Sequence, residues 1–347
     1  MAYFHQSVCI SPQNSFPDTD LTRIVESKDN LLLVNEPAYP GIPAGARRRM
    51  GKSVRMAVGA ALPLLENARQ PDGIIIATAN GGMEDCIKFL NQILEYNEGL
   101  LTPANFVQST SNAAAAQIAL VTKNHNYNTT HVHRGLAFEN ALVDTMMLLK
   151  ENETAGFLLG STDEISAYNY NIDSLAGWFR EEAVVNTELF NANAFGTIAG
   201  EGSFMVWMNN QKESASAELL AVRTIHTEDP LAVLTSLKSF LSENNKDGEL
   251  PDLLLTGENG DERLLKYYNA VESEMKNSVS VARFKHLSGE YCTATSFACW
   301  LAIQIFKTGE IPELIIKKEG MKKPCRRILI YNNYRGEQHS FILISAV

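Results

Sequence analysis

The chain has 347 residues, of which 45% are hydrophobic and 20% are charged, as in globular proteins large enough for two well-buried halves. Its net charge of −10 argues against nucleic acid as a general partner, because surfaces that bind nucleic acid are basic. No apolar run reaches the ~18–20 residues that a membrane helix needs, and the N-terminus lacks the basic and hydrophobic regions of a secretory signal. We therefore expect a cytoplasmic protein with no membrane partner.

The five cysteines are scattered along the chain and form no CxxC pair. Their odd number and irregular spacing argue against a disulfide scaffold or a zinc site and fit a reducing cytoplasm. Cys292 and Cys299 are seven residues apart, so on a helix they would share one face, most simply as two small buried residues. We expect neither a metal nor a cofactor.

Strand and helix patterns alternate through the first part of the chain, which predicts an α/β fold with a sheet covered on both faces. In chain order, the predicted elements are a helix over Met50–Leu65, a strand over Gly73–Thr78, a helix from about Met83, a strand over Thr129–His133, a helix over Glu139–Lys150, a strand over Gly156–Leu159 and a strand over Ser203–Met208.

The same alternation returns in shorter form after about residue 215. No linker or low-complexity segment separates the two parts, so we expect halves 1–215 and 216–347 that share one core. The predicted elements are a strand over Glu218–Thr224, a helix over Leu231–Glu243, a strand over Asp252–Thr256, a helix over Ser296–Lys307 and a closing hairpin formed by Arg327–Tyr331 and Phe341–Ser345.

A strand, a tight turn and a helix follow one another between Thr129 and Lys150. Enzymes use this arrangement to expose a nucleophile, because the turn presents the side chain and the helix N-terminus stabilises negative charge. Here the turn reads His133-Arg134-Gly135-Leu136 and holds no cysteine or serine. The architecture suits a nucleophile that the sequence does not supply.

Several segments give this arrangement a family resemblance. Thr102–Leu120, TPANFVQSTSNAAAAQIAL, resembles the β-ketoacyl synthase segment that opens a helix of the dimer interface. Further segments resemble that family in the same order along most of the chain: Arg48–Ala61, Asn193–Ser203, Lys285–Glu290 and Asn332–Gly336. The resemblance implies a thiolase-like fold of five αβαβα layers with two pseudo-duplicated halves.

The resemblance also implies a catalytic cysteine and two histidines, and all three are replaced. Alignment from Gly160 places the cysteine position at Gly135, within a residue or two. The first histidine position falls at Gly257 and the second at Glu290. The chain therefore resembles 3-oxoacyl-ACP synthases but lacks the residues that bind the acyl group and support decarboxylation.

Ketosynthase-like subunits without the cysteine resemble chain length factors, and the best match is the small type found in aryl polyene or flexirubin clusters. The resemblance implies a Cys-containing ketosynthase and an acyl carrier protein as partners, in a homo- or heterodimer. It places Asn105, Phe106, Gln108, Ser109 and Asn112 at the dimer interface. Two alternatives stay open: a divergent acyltransferase or synthase with an altered site, and a homodimeric acyl-binding protein.

His131 and His133 are the weak catalytic candidates for an altered enzyme. They alternate on a predicted strand and so face one side, where Glu139 could complete a metal or acid–base set. A hydrogen-bonded structural pair is the simpler interpretation. Glu290 and the neighbouring His286 are candidates of the same kind.

Two basic clusters stand out in this acidic chain. Arg48 and Arg49 lie in the first, and Lys322 and Lys323 in the second. With Arg134, they are candidates for binding a carrier protein or its acyl arm, because opposite charge favours association with an acidic carrier. Solvated loop residues are the simpler interpretation.

Overall fold

The computed structural model describes residues 1–68, 70–191, 194–244, 250–321 and 324–347. The predictions for Asn193, Lys322 and Lys323 fall outside these residues. In the part of the chain that is described, no helix is long and apolar enough to cross a membrane.

Thirteen strands are present in the described ranges. They are β1 Tyr3–Ile10, β2 Leu31–Leu32, β3 Gly73–Ala77, β4 Tyr127–His131, β5 Gly156–Asp163, β6 Ala199–Gly200, β7 Gly202–Asn209, β8 Ala217–His226, β9 Leu253–Thr256, β10 Ser280–Arg283, β11 Ile316–Lys318, β12 Arg327–Tyr334 and β13 Gln338–Ser345.

The α-helices of the same ranges are α1 Ala44–Arg47, α2 Lys52–Ala61, α3 Met83–Glu95, α4 Pro103–Gln108, α5 Ala113–Thr122, α6 Ala137–Glu151, α7 Ala167–Leu175, α8 Pro230–Asn244, α9 Leu265–Ser273, α10 Lys285–Ser288 and α11 Thr295–Thr308. Short 3-10 helices span Leu62–Ala68, Arg134–Leu136, Asn186–Glu188, Glu262–Leu264 and Glu313–Ile315.

The main sheet contains two copies of one strand order. The first half runs β1-β7-β5-β3-β4, and the second runs β8-β13-β12-β9-β10 with β11 added at its edge. Corresponding pairs are parallel or antiparallel alike in the two halves, and a short antiparallel contact between β1 and β8 joins them. The order and direction of the strands therefore show the duplication that the resemblance implied.

Apolar side chains alternate between the two faces of the sheet and so divide the core into layers. Ile74 and Ile76 of β3 face α2 and α5, whereas Ile75 faces the central helices α6 and α11. In the second half, Leu253 and Leu255 face those central helices, and Leu254 faces α8 and α9. Helix, sheet, helix, sheet and helix therefore follow one another, as the fold prediction states.

The predicted elements are present, with shifted ends. Strand β4 begins at Tyr127 and ends at His131, two residues earlier than predicted, so His133 lies in the following turn. Strand β12 continues to Tyr334, where the sequence pattern suggested an end at Tyr331. The expectation that Cys292 and Cys299 share a helix is wrong: α11 begins at Thr295, and the loop before it holds Cys292.

The central helix α11 is the most deeply buried in the fold, because sheets cover it on two sides. Its Trp300 is 1% exposed and packs against Phe297.

Trp300→Ala should lower the free energy of unfolding by about 3–5 kcal/mol through the cavity it leaves. Leu231→Ala, on the outer helix α8 where the side chain is 70% exposed, is the control and should change it by less than about 0.5 kcal/mol. Urea denaturation of both variants measures the difference, and equal effects would contradict the layer assignment.

Candidate functional site

The turn between β4 and α6 keeps the form of a nucleophile-bearing turn but has no space for a side chain. Arg134 adopts a left-handed backbone with a φ of 48°, and Gly135 after it is buried. A Cβ atom on Gly135 would overlap the Cβ atom and ring of Tyr334. The predicted nucleophile position is therefore occupied by a side chain from β12.

The backbone amide at this turn is also engaged. The N–H of Gly135 donates to Oε1 of Gln338 over 3.0 Å. An amide at the start of a helix is suited to stabilise a negatively charged oxygen in acyl transfer. Here the side chain of Gln338 takes that place, so the amide is not free for a reacting group.

The position predicted for the first histidine, Gly257, follows the buried strand β9. A Cβ atom there would overlap Oδ1 of Asn332 and lie 3.2 Å from Cε of Lys285. A histidine ring could not enter this space without displacing Asn332. The space that an imidazole at Gly257 would occupy is thus filled by Asn332.

Glu290, at the position predicted for the second histidine, is held in a buried ion pair. Nζ of Lys285 donates to Oε1 and Oε2 of Glu290 over 2.9 and 2.7 Å, and Asn259 donates to Oε2 over 2.7 Å. The Lys285 side chain is completely buried. Because the carboxylate is shared by an ammonium and an amide, Glu290 is not positioned as a free general base.

The three replaced positions meet at one short stretch of chain, the carboxyl end of β12. Asn332 occupies the space beside Gly257, the carbonyl of Asn333 lies 3.4 Å from Nζ of Lys285, and Tyr334 fills the space beside Gly135. The three positions are far apart in the sequence. The structure brings their surroundings together and fills each one.

A small cavity of about 50 Å³ lies next to this stretch. Its lining includes Glu290, Tyr334 and Cys292, and the Cys292 thiol donates to the Tyr334 hydroxyl over 3.3 Å. Burial raises the pKa of Cys292 to about 12, so the thiol is protonated at neutral pH and is not a reactive thiolate. The sequence pattern did not indicate that Cys292 lines a cavity, because its spacing to Cys299 suggested a shared helix face.

An arginine and a tryptophan lie at the edge of the cavity. Arg335, with a left-handed φ of 58°, pairs with Asp173 of α7 over 2.6 Å. Its guanidinium lies 4.9 Å from the centre of the Trp178 ring, and Arg263 lies 4.6 Å from the same ring. Both guanidinium groups are within cation–π distance of the Trp178 ring, and the pair of Arg335 with Asp173 ties α7 to the β12–β13 turn.

The histidine candidates are not gathered at the cavity. Nε2 of His131 lies 3.0 Å from Oδ2 of Asp144, and His133 is exposed. Glu139 is buried in another environment, where Ser340 donates to its carboxyl over 2.8 Å and burial raises its pKa. Among the described residues, no group of three His, Cys, Asp or Glu side chains is arranged to hold a metal ion.

His286 also lies away from the cavity, although it is close to Glu290 in sequence. Its Nε2 lies 3.1 Å from the carbonyl oxygen of Leu314, and its ring packs edge-on against Phe190. Burial lowers the pKa of His286 to about 4, which keeps the ring neutral. Its contacts are those of a structural residue.

The first basic cluster lines a surface pocket at the start of α2. Arg48 and Arg49 are exposed there, and Glu164 is at its base. Ser53 donates to Glu164 through its backbone N–H over 3.1 Å and its hydroxyl over 3.3 Å. Burial, the largest cause, raises the pKa of Glu164 to about 7.

The second basic cluster is less available than the sequence suggested. Lys317 pairs with Glu258 and, over 2.8 Å, with Glu272. Lys322 and Lys323 belong to the undescribed residues. Of the four candidates named in the two clusters, Arg48 and Arg49 are the ones that lie in the described residues, and both are exposed.

The segment predicted for a dimer interface is partly exposed. The side chain of Phe106 is 60% exposed and packs against Phe89 of α3, with ring centres 5.3 Å apart. Asn112 is exposed and Asn105 and Ser109 are half-buried, whereas Gln108 is buried within the chain. Exposed apolar side chains surround this segment on α3, α4, α5 and their connections: Leu90, Leu94, Leu100, Val107 and Leu120.

A cysteine restored at the turn should not fit. Gly135→Cys should lower the free energy of unfolding by about 1–3 kcal/mol, because Tyr334 must move to admit the side chain. Arg134→Gly is the matched control: glycine suits the left-handed backbone there, so the urea midpoint should stay or rise. A Gly135→Cys protein as stable as the wild type would contradict the packing described here.

The ion pair between Lys285 and Glu290 should be sensitive to loss of one partner. Glu290→Ala leaves the buried ammonium without its counter-charge and should cost about 3–5 kcal/mol. The double variant Lys285→Met/Glu290→Leu removes both charges and should cost far less. Urea denaturation of Lys285→Met, of Glu290→Leu and of the double variant gives the coupling energy, and an additive result would contradict it.

Glu164 should make stability depend on pH. Because its pKa is raised from 4.5 to about 7 in the folded protein, its contribution is present below pH 4.5 and is lost as the pH rises through about 7. Glu164→Gln should therefore match the wild type near pH 4 and exceed its free energy of unfolding at pH 8, by up to about 3 kcal/mol. Denaturation curves at both pH values measure this, and a lower stability of the variant at pH 8 would contradict it.

Comparisons with known proteins agree with the fold described above. The family model described as β-ketoacyl synthase, N-terminal domain, matches residues 27–225. The structure is similar to a β-ketoacyl synthase from Burkholderia phymatum STM815 (TM-score 0.80) and to the ishigamide ketosynthase/chain length factor (TM-score 0.81). It is also similar to a type II PKS acyl-carrier protein in complex with its ketosynthase (TM-score 0.77).

Each of these three similarities is at 13% sequence identity and covers 100% of this chain and 99% of the other. At this identity they establish the fold. No curated protein matches the sequence significantly. The family match spans more than half of the chain, and the chain belongs to the β-ketoacyl synthase family.

Proposed function

We propose that this chain is a catalytically silent β-ketoacyl synthase-like subunit, a chain length factor that pairs with an active ketosynthase. The observation that carries the proposal is the filled centre at the end of β12. Tyr334 takes the space of a side chain at Gly135, Asn332 takes that at Gly257, and Lys285 neutralises Glu290. A centre filled in this way holds neither an acyl-accepting thiolate nor a catalytic imidazole.

The proposed partner is a Cys-containing ketosynthase in polyene or fatty-acyl chain elongation, with aryl polyene synthesis as the favoured context. The exposed apolar side chains around Phe106 support such a partner, because large exposed apolar surfaces mark interaction sites. One structural relative is itself described as a ketosynthase/chain length factor. The segment from Asn105 to Leu120 would form part of the shared surface.

We place the acyl carrier protein at the basic pocket of Arg48 and Arg49. Both side chains are exposed, and they lie near the start of α2 in a chain that is otherwise acidic. Complementary charge would raise the rate at which an acidic carrier associates with the complex. Arg134, exposed at the turn before α6, is a further candidate for the acyl arm or the partner.

Co-expression with a Cys-containing ketosynthase tests the proposal. Native mass spectrometry should detect a one-to-one complex, and malonyl-dependent elongation should need the partner's cysteine. Elongation by this chain alone would overturn the proposal.

The surface is tested by a matched pair of variants. Phe106→Asp should weaken the complex at least ten-fold, because a charge would enter an apolar contact. Leu231→Asp, on the opposite outer layer, is the control and should leave the stoichiometry unchanged. Equal binding by both variants would exclude the Phe106 surface.

A further inference from the structure

The surface pocket at the start of α2 contains buried acidic groups beneath its exposed arginines. Its volume is about 520 Å³, within the range of roughly 300–1,000 Å³ that small-molecule sites occupy. Asp85 of α3 and Glu164, which follows β5, line the pocket and are only 9% and 8% exposed. Two carboxylates therefore lie inside a pocket that is large enough for a small ligand.

Asp85 is buried without a partner. It has no hydrogen bond or ion pair to any of the described residues, and Glu164 accepts hydrogen bonds there from Ser53 alone. Oδ2 of Asp85 lies beside Gly51, where a Cβ atom would be 2.5 Å away from it. Because a buried carboxylate without a partner is destabilising, such a group indicates a site that a ligand completes.

The cations inside the pocket do not balance these carboxylates, because each of them pairs with another acidic residue. The pairs are Lys52 with Glu201, Arg55 with Glu36 and Lys88 with Glu84. Arg48 and Arg49 are exposed lining residues without an ion-pair partner in the described ranges. Once the paired charges are set aside, two negative groups remain inside the pocket and two positive groups remain at its mouth.

This separation of charge defines the kind of ligand that fits. An ammonium group offers three N–H donors to the inner carboxylates, and arginine side chains bind a carboxylate through paired N–H donors. Among the described residues, no three His, Cys, Asp or Glu side chains are arranged to hold a metal ion. The cation that suits the inner carboxylates is therefore an organic ammonium rather than a bare metal ion.

We infer that this pocket binds a small zwitterion of the amino acid class, with its ammonium group at Asp85 and Glu164 and its carboxylate at Arg48 and Arg49. The inference goes beyond the proposed function, because a small molecule enters the pocket whereas a carrier protein would dock at its mouth. It also gives a reason for the unpaired acidic groups. A ligand ammonium supplies the counter-charge that the fold lacks, and binding groups are often retained although they lower stability.

Isothermal titration calorimetry at pH 8 tests the inference with glycine, β-alanine, γ-aminobutyrate and ε-aminocaproate as probes. At least one of them should bind about ten-fold or more tightly than two matched analogues. Butylamine lacks the carboxylate and butyrate lacks the ammonium, so neither can engage both ends of the pocket.

The affinity for the best probe should depend on pH. Glu164, whose pKa is raised to about 7 by burial above all, becomes protonated between pH 8 and pH 5, while the ammonium group of the probe keeps its charge. Binding should therefore be about ten-fold or more weaker at pH 5. The other charged groups around Glu164 are Arg48, Arg49, Lys52, Arg55, Glu84, Asp85, Lys88 and Glu201.

A matched pair of variants locates the site. Asp85→Asn keeps the shape of the side chain and removes its charge, so it should weaken binding of the best probe about ten-fold or more at pH 8. Glu95→Gln makes the same change of charge at an exposed position of α3 and should leave the affinity unchanged. Glu164→Gln is the second variant, and it should both weaken binding and remove the pH dependence.

The inference is overturned if no amino acid binds more tightly than butylamine and butyrate. It is also overturned if Asp85→Asn and Glu164→Gln both bind the best probe as the wild type does. Neither result concerns the complex with a ketosynthase, which co-expression measures, so the proposed function stands or falls separately.

Discussion

The buried ammonium of Lys285 is the constraint on which the candidate site depends. A charge with no exposure to water needs a counter-charge and hydrogen bonds, and Glu290 supplies both at distances below 3 Å. With Glu290 held there, the end of β12 packs over the pair, and Asn332 and Tyr334 take the remaining volume. The site is therefore closed by packing and electrostatics together, whereas removal of a cysteine alone would have left a cavity.

The scaffold around this closed site is preserved. Helices α6 and α11 are buried between the two halves of the main sheet. Helix α6 begins at a tight turn beside the β12–β13 hairpin. A subunit that only presents surfaces to a partner needs that rigid frame but not a reactive group within it. This combination of an intact fold and a filled centre is what the proposed partner role would require.

Much of the fold could be predicted from the sequence, because buried parallel strands such as Gly73–Ala77 appear as short apolar runs between helical patterns. The duplication was expected only from the family resemblance, since it lies in strand order and orientation and the two halves share no strong sequence repeat. The positions Gly135, Gly257 and Glu290 came from resemblance to a family. The packing of Gly135 against Tyr334 spans about 200 residues of chain and that of Gly257 against Asn332 about 75, and no local pattern encodes such contacts. Cys292 was missed because a seven-residue spacing predicts a shared helix face only when both residues lie within one helix.

Intact-mass measurement of the purified chain after incubation with an acylated carrier protein tests the central claim of a silent site most directly. The account predicts an unchanged mass, because Gly135 bears no nucleophile and Cys292 is a buried, protonated thiol. An acyl adduct that forms rapidly and maps to Cys292 or to the turn before α6 would contradict it.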